Sequence, residues 1–169
     1  MIRRSSVMKL SNKSLRKSAA ELDGWIQPKE TEVPPYTYAH YFEDDEPIIV
    51  VDGLLGPMSI DDFAKTYLWR KEEDGRIAEC RTDSPPDYPN DIGAAMDLWE
   101  KMPFDCCIEN YTSTKGIPCA KICFHRDPGG VFEWTYSRAF DRTKEPLAKA
   151  ITRTFIIAKE YHAKQRNAA

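Results

Sequence analysis

Aromatic and basic side chains that could bind a nucleotide lie along one segment, residues 126–138. Trp134 and Tyr136 alternate with polar residues, which is the spacing that places side chains on one face of a strand. Aromatic rings can stack on a nucleobase, and a guanidinium can hold a phosphate. We therefore predict a ligand-binding site at Arg126, Trp134, Tyr136 and Arg138. The alternative is that the aromatic row packs beneath a helix as core, which is the usual fate of such rows.

Thiols and an imidazole form a second group, on the preceding segment. Residues two apart on a strand share a face, so Cys119, Cys123 and His125 would project together beside Lys121. These are zinc ligands, and an adjacent cysteine at 106 or 107 could supply a fourth. However, two cysteines four apart on an extended strand lie roughly 13 Å from each other, which is too far for one tetrahedral ion. We therefore predict no metal site, and we expect the cysteines to pack as small hydrophobic side chains.

Nucleophilic or acid–base catalysis is not indicated by any motif in the chain. A cysteine nucleophile would need His40, His125 or His162 beside it, and no cysteine begins a predicted helix, where a thiolate is stabilised. The acidic run at 43–46 reads as a solvated loop, and Asp61-Asp62 fits a helix N-terminus. Neither a glycine-rich phosphate loop nor an H-E-x-x-H motif occurs in the sequence. The sequence therefore predicts a non-enzymatic protein without catalytic residues or cofactors.

The elements that must position these residues are a helix, three strands and a closing helix. An apolar stripe at helical spacing predicts a helix over 91–102, with Ile92, Ala95, Met96, Trp99 and Met102 facing the core. Strands are predicted at 104–111, 117–125 and 131–137, joined by turns of hairpin length. Thr143 is expected to cap the last helix, with Pro146 in its first turn. This order predicts an α/β fold of the α+β type, an α-β-α sandwich with helices packed on a mainly antiparallel sheet.

Composition suits a globular protein with an unevenly charged chain. The chain has 169 residues and a net charge of −3, yet its first twenty residues carry six lysines and arginines and no acid. We expect residues 1–13 to be a basic, disordered leader, with Met8 as an alternative start to Met1. Residues 14–169 are predicted to form a single domain with an elaborating region at about 27–83, which proline-rich segments flank. No signal peptide or membrane-length apolar run is seen, and the cysteine count is odd, which together favour a cytoplasm.

Three segments resemble the phage ABA sandwich domain family. The segment YPNDIGAAMDLWEKM at 88–102 is similar to the central signature of that family, and EPLAKAI at 145–151 is similar to its last helix. AELDGW at 20–25 is similar to its opening helix, which ends in a Gly-Trp step. The matches span about 14–26 and 84–163, whereas residues 30–80 depart from the family pattern. The resemblance implies an α-β-α protein encoded by a bacteriophage or prophage, and it implies no catalytic residues.

The function expected from this reasoning is that of a phage accessory protein in the host cytoplasm. It would bind and sequester a host signalling nucleotide and so counter an antiviral defence. One alternative is a protein–protein interaction module that inhibits a host defence enzyme through the aromatic segment 36–42 and the acidic loop. A second is nucleic-acid binding through the basic N-terminal tail, against which the acidic remainder of the chain argues. Assembly into a homo-oligomer stays open, and no membrane partner is expected.

Overall fold

The chain divides into two compact units in the computed structural model, which describes residues 4–28, 38–43, 46–51, 55–81, 84–126 and 133–167. The first unit comprises Met1–Asp23 with Pro86–Ala169, and the second comprises Gly24–Pro85. The sequence-based division placed an elaborating region at about 27–83 inside one domain. The elements in chain order are α1 (Arg4–Val7), α2 (Asn12–Leu22), β1 (Tyr38–Glu43), β2 (Glu46–Val51), β3 (Leu55–Ser59), α3 (Ile60–Tyr67), β4 (Trp69–Glu73), β5 (Arg76–Arg81), α4 (Ile92–Glu100), β6 (Asp105–Thr112), β7 (Pro118–Arg126), β8 (Glu133–Asp141) and α5 (Leu147–Arg166).

The sheet of the first unit has the strand order β6-β7-β8, and both pairings are antiparallel. The β6–β7 turn is closed by the Ser113 amide, which donates to the Ile117 carbonyl at 2.9 Å. Gly116 takes a positive φ of 74° in this turn, a conformation that costs glycine little because it lacks a Cβ. The predicted succession of antiparallel strands between two helices is therefore confirmed.

The two faces of β7 alternate as a period of two requires. Ala120, Ile122 and Phe124 are buried on the face that carries the helices, and Cys119 and His125 lie on the opposite face. A core cluster joins this buried face to the helices through Ala95, Ala120, Ile122, Phe140, Ala148, Ala150 and Ile151. A mixed α+β fold with helices packed on an antiparallel sheet is thus confirmed. On the opposite face, β6 and β8 expose Glu109, Ser137 and Ala139 to solvent.

Helix α4 begins where the sequence indicates but faces the core at a different angle. Asp91 caps it by accepting hydrogen bonds from the amides of Gly93 and Ala94, at 2.8 and 3.3 Å. Ala95 and Leu98 are fully buried, whereas Ile92 is 50% exposed and Met96 is 38% exposed. The predicted stripe was therefore wrong at Ile92 and Met96. Ala95 stays buried and Trp99 half-buried, so the buried face is turned toward Leu98 by less than the roughly 100° that separates successive helical residues.

Helix α5 begins later than its sequence suggests and is buried on most sides. It starts at Leu147 with Pro146 at the N-cap, so the prediction that Thr143 caps it was wrong. The Thr143 hydroxyl instead donates to the Asp141 carboxylate at 2.6 Å, within the turn that follows β8. Residues 150–158 of α5 are all buried, because β7, α4 and α2 pack around the helix. The hydroxyls of Thr152 and Thr154 are satisfied there by backbone carbonyls one turn earlier.

The N-terminal segment belongs to the first unit rather than forming a disordered leader. Val7 and Leu15 are fully buried, and Ser11 caps α2 by accepting from the Ser14 amide at 3.2 Å. The carbonyl of Met8 accepts a hydrogen bond from Arg153 at 2.9 Å. The expectation of a disordered 1–13 is therefore wrong for residues 7–13, since burial of Val7 and these contacts hold the segment on α5. Residues 1–3 lie outside the described part of the chain.

The second unit contains an antiparallel sheet β1-β2-β3, the helix α3 and the hairpin β4–β5. Ser59 caps α3 by accepting from the Asp62 amide at 3.2 Å, and its hydroxyl donates to the Asp62 carboxylate at 2.8 Å. The chain bridges Ile26 to Arg70 on β4, and neighbouring Trp25 is buried with the ammonium of Lys71 over its ring. The side chains of 36–51, including the acidic loop, lie outside the described residues. None of the described helices, in either unit, is long and apolar enough to cross a membrane.

Candidate functional site

The structure describes the side chains of two of the four residues predicted to bind a ligand, Tyr136 and Arg138. Tyr136 is buried on the helix side of β8 and stacks on Phe124, with the ring centroids 5.0 Å apart. The pairing of β7 with β8 shifts next to this pair. Trp134 pairs with His125, and Thr135 is an extra residue of β8 between Trp134 and Tyr136. The simple alternation expected of Trp134 and Tyr136 is therefore broken by a β-bulge. The side chains of Arg126 and Trp134 lie outside the described part of the structure.

Arg138 lies two residues beyond Tyr136 and is held by a buried carboxylate. Its guanidinium makes a two-pronged contact with Glu145, and Arg153 donates to the same carboxylate at 2.6 Å. The side chains of Arg138, Glu145 and Arg153 are only 20%, 10% and 10% exposed. A ligand phosphate at Arg138, as predicted, would therefore compete with Glu145, because that carboxylate already pairs with both arms of the Arg138 guanidinium.

The charges of this cluster stabilise one another. Burial alone would raise the pKa of Glu145, but hydrogen bonds and charge from Arg138 and Arg153 outweigh burial and lower it. Burial likewise opposes the charge of Arg138, yet the paired Glu145 carboxylate raises its pKa. The cluster therefore joins Arg138 on β8 to α5 through the Glu145 carboxylate.

A cavity of about 260 Å³ opens beside Tyr136, between the ends of β7 and β8 and the second half of α5. Its lining is mostly apolar, with hydroxyl groups inside and one acid and one base at α5: Phe124, Thr135, Tyr136, Ile157, Glu160, Tyr161 and Lys164. Glu160 and Lys164 lie four residues apart, so they are neighbours on one face of the helix. This combination of an apolar pocket with a few polar groups is typical of small-molecule sites.

The wall of the cavity is an aromatic stack that spans the sheet. Phe104 stacks on Phe124 at 5.2 Å with an interplanar angle of 9°, and Phe124 stacks on Tyr136 at 13°. Tyr161 on α5 tilts against Phe104 and Phe124 at 5.8 and 6.3 Å. Each such pair contributes about 0.5–1.5 kcal/mol beyond its buried area, so the wall is held in place before any ligand arrives.

Burial disfavours the ionised form of two cysteines on β6, Cys106 and Cys107. All five cysteines are free thiols, and Cys107 lies directly opposite Cys123 in the β6–β7 pairing. Burial raises the pKa of the Cys106 thiol to about 12, and burial together with a hydrogen bond to Cys123 raises that of Cys107. A raised pKa disfavours the nucleophilic thiolate. No cluster of three metal-ligating side chains occurs within the described ranges.

Sequence reasoning identified one lining residue of the cavity, Tyr136, and missed the others. Tyr161 and Lys164 belong to the last predicted helix, and nothing in its apolar sequence pattern singles them out as site residues. The available signal was the acid–base spacing of Glu160 and Lys164 beside Tyr161 on one helix face. That spacing is common on solvated helices, so it becomes informative only when the helix is seen against the bulge in β8.

Comparison with protein-family models, with curated proteins and with solved structures gives no match for this chain. The resemblance of 88–102 to the phage family therefore stays an expectation.

Proposed function

We propose that the protein binds a small ligand with a planar aromatic ring, of the nucleotide class, in the cavity beside Tyr136. The observation that carries this proposal is an aromatic-walled cavity of about 260 Å³ with Glu160 and Lys164 beside it on α5. A volume near the lower end of ligand pockets suits a single base with its sugar better than a large molecule. Stacking of a base on an aromatic side chain contributes about 1–3 kcal/mol and tolerates any base.

The charged end of such a ligand would meet Lys164, whose ammonium is a mobile point charge suited to a phosphate. In this proposal Arg138 joins β8 to Glu145 rather than contacting the ligand, because both arms of its guanidinium are paired with that carboxylate. Arg126 and Trp134 stay predicted ligand contacts whose side chains lie outside the described residues. We propose binding without turnover, and no cysteine or histidine stands among the described lining residues.

Binding without turnover would make the protein a sequestering agent. The resemblance of 88–102 to a phage family supports its assignment as a bacteriophage accessory protein that removes a signalling nucleotide in the host cytoplasm and so counters a defence. The alternative of an interaction module rests on segment 36–42, which has no described side chains. For nucleic-acid binding, Arg16 of the basic tail already donates to the Pro86 carbonyl at 3.2 Å.

The test is isothermal titration calorimetry of the full chain with mononucleotides, cyclic nucleotides and ADP-ribose-type compounds. We expect saturable heat with at least one of them. Replacement of Tyr161 by alanine should weaken binding roughly tenfold or more, because one stacking surface is lost. Lys164→Glu should weaken binding of phosphate-bearing ligands, and Lys144→Glu is the matched control, since Lys144 precedes the opposite end of α5.

Two outcomes would contradict the proposal. The first is the absence of heat with every compound in the panel at millimolar ligand. The second is binding that Tyr161→Ala and Lys164→Glu leave unchanged while both variants keep the wild-type circular dichroism spectrum. Since Lys164 is exposed, its variant is expected to fold even if the tyrosine variant does not. High-performance liquid chromatography of the ligand after incubation distinguishes sequestration, which returns it intact, from turnover.

A further inference from the structure

We infer that Cys107 and Cys123 form a reversible oxidative modification site, at which a peroxide joins the two thiols as a disulfide across β6 and β7. The two residues are direct cross-strand partners in the antiparallel β6–β7 pairing. Both are free thiols, and both side chains lie on the face of the sheet that is opposite to the helices. The inference goes beyond the proposed function and is independent of it, because it uses none of the residues that line the cavity.

The spacing of a direct cross-strand pair is compatible with a disulfide. The Cα atoms of opposed residues in an antiparallel pair are about 4.5 or 5.5 Å apart, depending on the hydrogen-bonding position. A disulfide needs a Cα separation of about 4.4–6.8 Å. The Cβ atoms of such a pair are about 4.5–5.5 Å apart before the bond forms and about 3.8 Å apart afterwards, so the strands must draw together slightly. The bond therefore forms without rearrangement of the sheet, and its strain makes it easy to reduce.

The other thiols of this sheet have different cross-strand partners. Cys119 is opposite Tyr111, and Cys106 is opposite Phe124, on the face that carries the helices. Cys119 and Cys123 share one face of β7, but four residues of extended chain separate them by roughly 13 Å. The register of β6 against β7 therefore gives Cys123 a single opposed thiol on β6.

Cys107 is the thiol that an oxidant reaches first. Its side chain is half-buried, whereas Cys123 is fully buried between Cys107 on β6 and Ser137 on β8. The Cys123 thiol lies 3.9 Å from the Ser137 hydroxyl. Burial and a hydrogen bond with Cys123 raise the pKa of Cys107, so Cys107 is mostly protonated at neutral pH. We therefore expect its oxidation to be slow at neutral pH and to speed up by about tenfold with each pH unit below that pKa.

The oxidation proceeds in two steps that consume one molecule of hydrogen peroxide. The Cys107 thiolate attacks a peroxide oxygen, so that an S–O bond forms, the O–O bond breaks, and the leaving hydroxide takes up the thiol proton as water. The Cys123 thiol then attacks the sulfenic sulfur of Cys107, so that the S–S bond forms, the S–O bond breaks, and a second water leaves with the thiol proton. The two thiols together lose two electrons, which reduce the peroxide. A dithiol such as dithiothreitol reverses the modification by thiol–disulfide exchange.

The experiment is treatment of the full chain with hydrogen peroxide, followed by alkylation of the remaining thiols and mass spectrometry of unreduced tryptic peptides. Cleavage after lysine and arginine places the two β6 cysteines on peptide 102–115, Cys119 on peptide 116–121 and Cys123 on peptide 122–126. We expect peptides 102–115 and 122–126 to be joined by a disulfide, with the thiol of peptide 116–121 alkylated. Dithiothreitol added before alkylation should return all three peptides unlinked. The Cys106→Ser variant should keep the link, which assigns it to Cys107.

Three variants test the order of the two steps. Cys123→Ala should stop the reaction at a sulfenic acid on Cys107, which dimedone traps as an adduct. Cys107→Ser should lose the link, and its buried Cys123 should react roughly tenfold or more slowly than Cys107 does in the wild type. Cys119→Ser, on the same face of β7, is the matched control and should form the link at a rate within about twofold of the wild type, because distant sites act independently.

Several outcomes would overturn the inference. One is a wild-type chain that keeps both thiols free after peroxide treatment at alkaline pH. Another is a link between different thiols, such as Cys106 with Cys107 or exposed Cys80 with that of a second copy. A third is sulfinic acid on Cys107 without any cross-link, because an opposed Cys123 should capture the sulfenic acid first. The peptide map of the wild type needs no substitution, so it decides the inference even if Cys123→Ala fails to fold.

Discussion

Replacing Glu145 by alanine should be among the most destabilising single changes in the first unit. The carboxylate is 10% exposed and neutralises two guanidiniums, those of Arg138 and Arg153. Removing it would leave two like charges facing each other in a site that water reaches poorly. It would also remove the side-chain link between Arg138 on β8 and the turn before α5.

The magnitude follows from the burial of the cluster. Breaking a buried ion pair by deleting one partner costs about 3–5 kcal/mol, because the remaining charge stays desolvated. For a protein of this size, each kcal/mol lowers the melting temperature by about 2–4 °C, so a decrease of roughly 6–20 °C is expected. This loss is comparable to a large fraction of the total stability of a typical domain, which is about 5–15 kcal/mol.

The assay is thermal and urea unfolding followed by far-ultraviolet circular dichroism. Glu109→Ala is the matched control, since its partner Lys121 lies on the exposed face of the sheet and surface pairs contribute little. The triple variant Arg138→Met, Glu145→Leu, Arg153→Met should recover much of the lost stability, because apolar groups can replace a buried ion cluster. A Glu145→Ala variant that melts with the control would refute the reasoning.

Four further results are expected. Ile151→Ala should cost about 2–5 kcal/mol in urea unfolding, because Ile151 is fully buried in the core, while Ile151→Val should cost much less. Asp91→Ala should cost about 1 kcal/mol through the lost cap of α4, and Asp91→Asn should cost little, since asparagine also caps. The pKa of Glu145 is lowered in the folded protein, so its charge adds stability above the unfolded-state pKa near 4.5, and this stability is lost as the pH falls through the folded-state pKa. The difference in free energy of unfolding between wild type and Glu145→Gln should therefore shrink below pH 4.5 and stay constant above it. Iodoacetamide at pH 8 should label exposed Cys80 well before Cys106. The pKa of about 12 makes the Cys106 thiolate roughly a thousandfold rarer than that of an ordinary thiol, and equal labelling by peptide mass spectrometry would contradict this.

The sequence predicted only part of the candidate site. Tyr136 was predicted to contact a ligand and does line the cavity, since aromatic residues at strand spacing are visible in the sequence. The pairing of Arg138 with Glu145 was not foreseen, because it joins a strand to the turn beyond it and depends on how that turn bends. The bulge at Thr135 changed the register of Trp134, and no turn residue marks it.

Local pattern and turn chemistry were sufficient to establish the order of helix, three antiparallel strands and helix. The period of two in β7 and the hairpin turn at 113–116 depend on a few neighbouring residues, so they can be inferred without knowing the rest of the chain. The rotation of α4, the burial of Val7 and the cavity beside α5 depend on which surfaces meet. Those surfaces come from segments far apart in the chain, and their fit is set by packing, which a one-dimensional pattern does not contain.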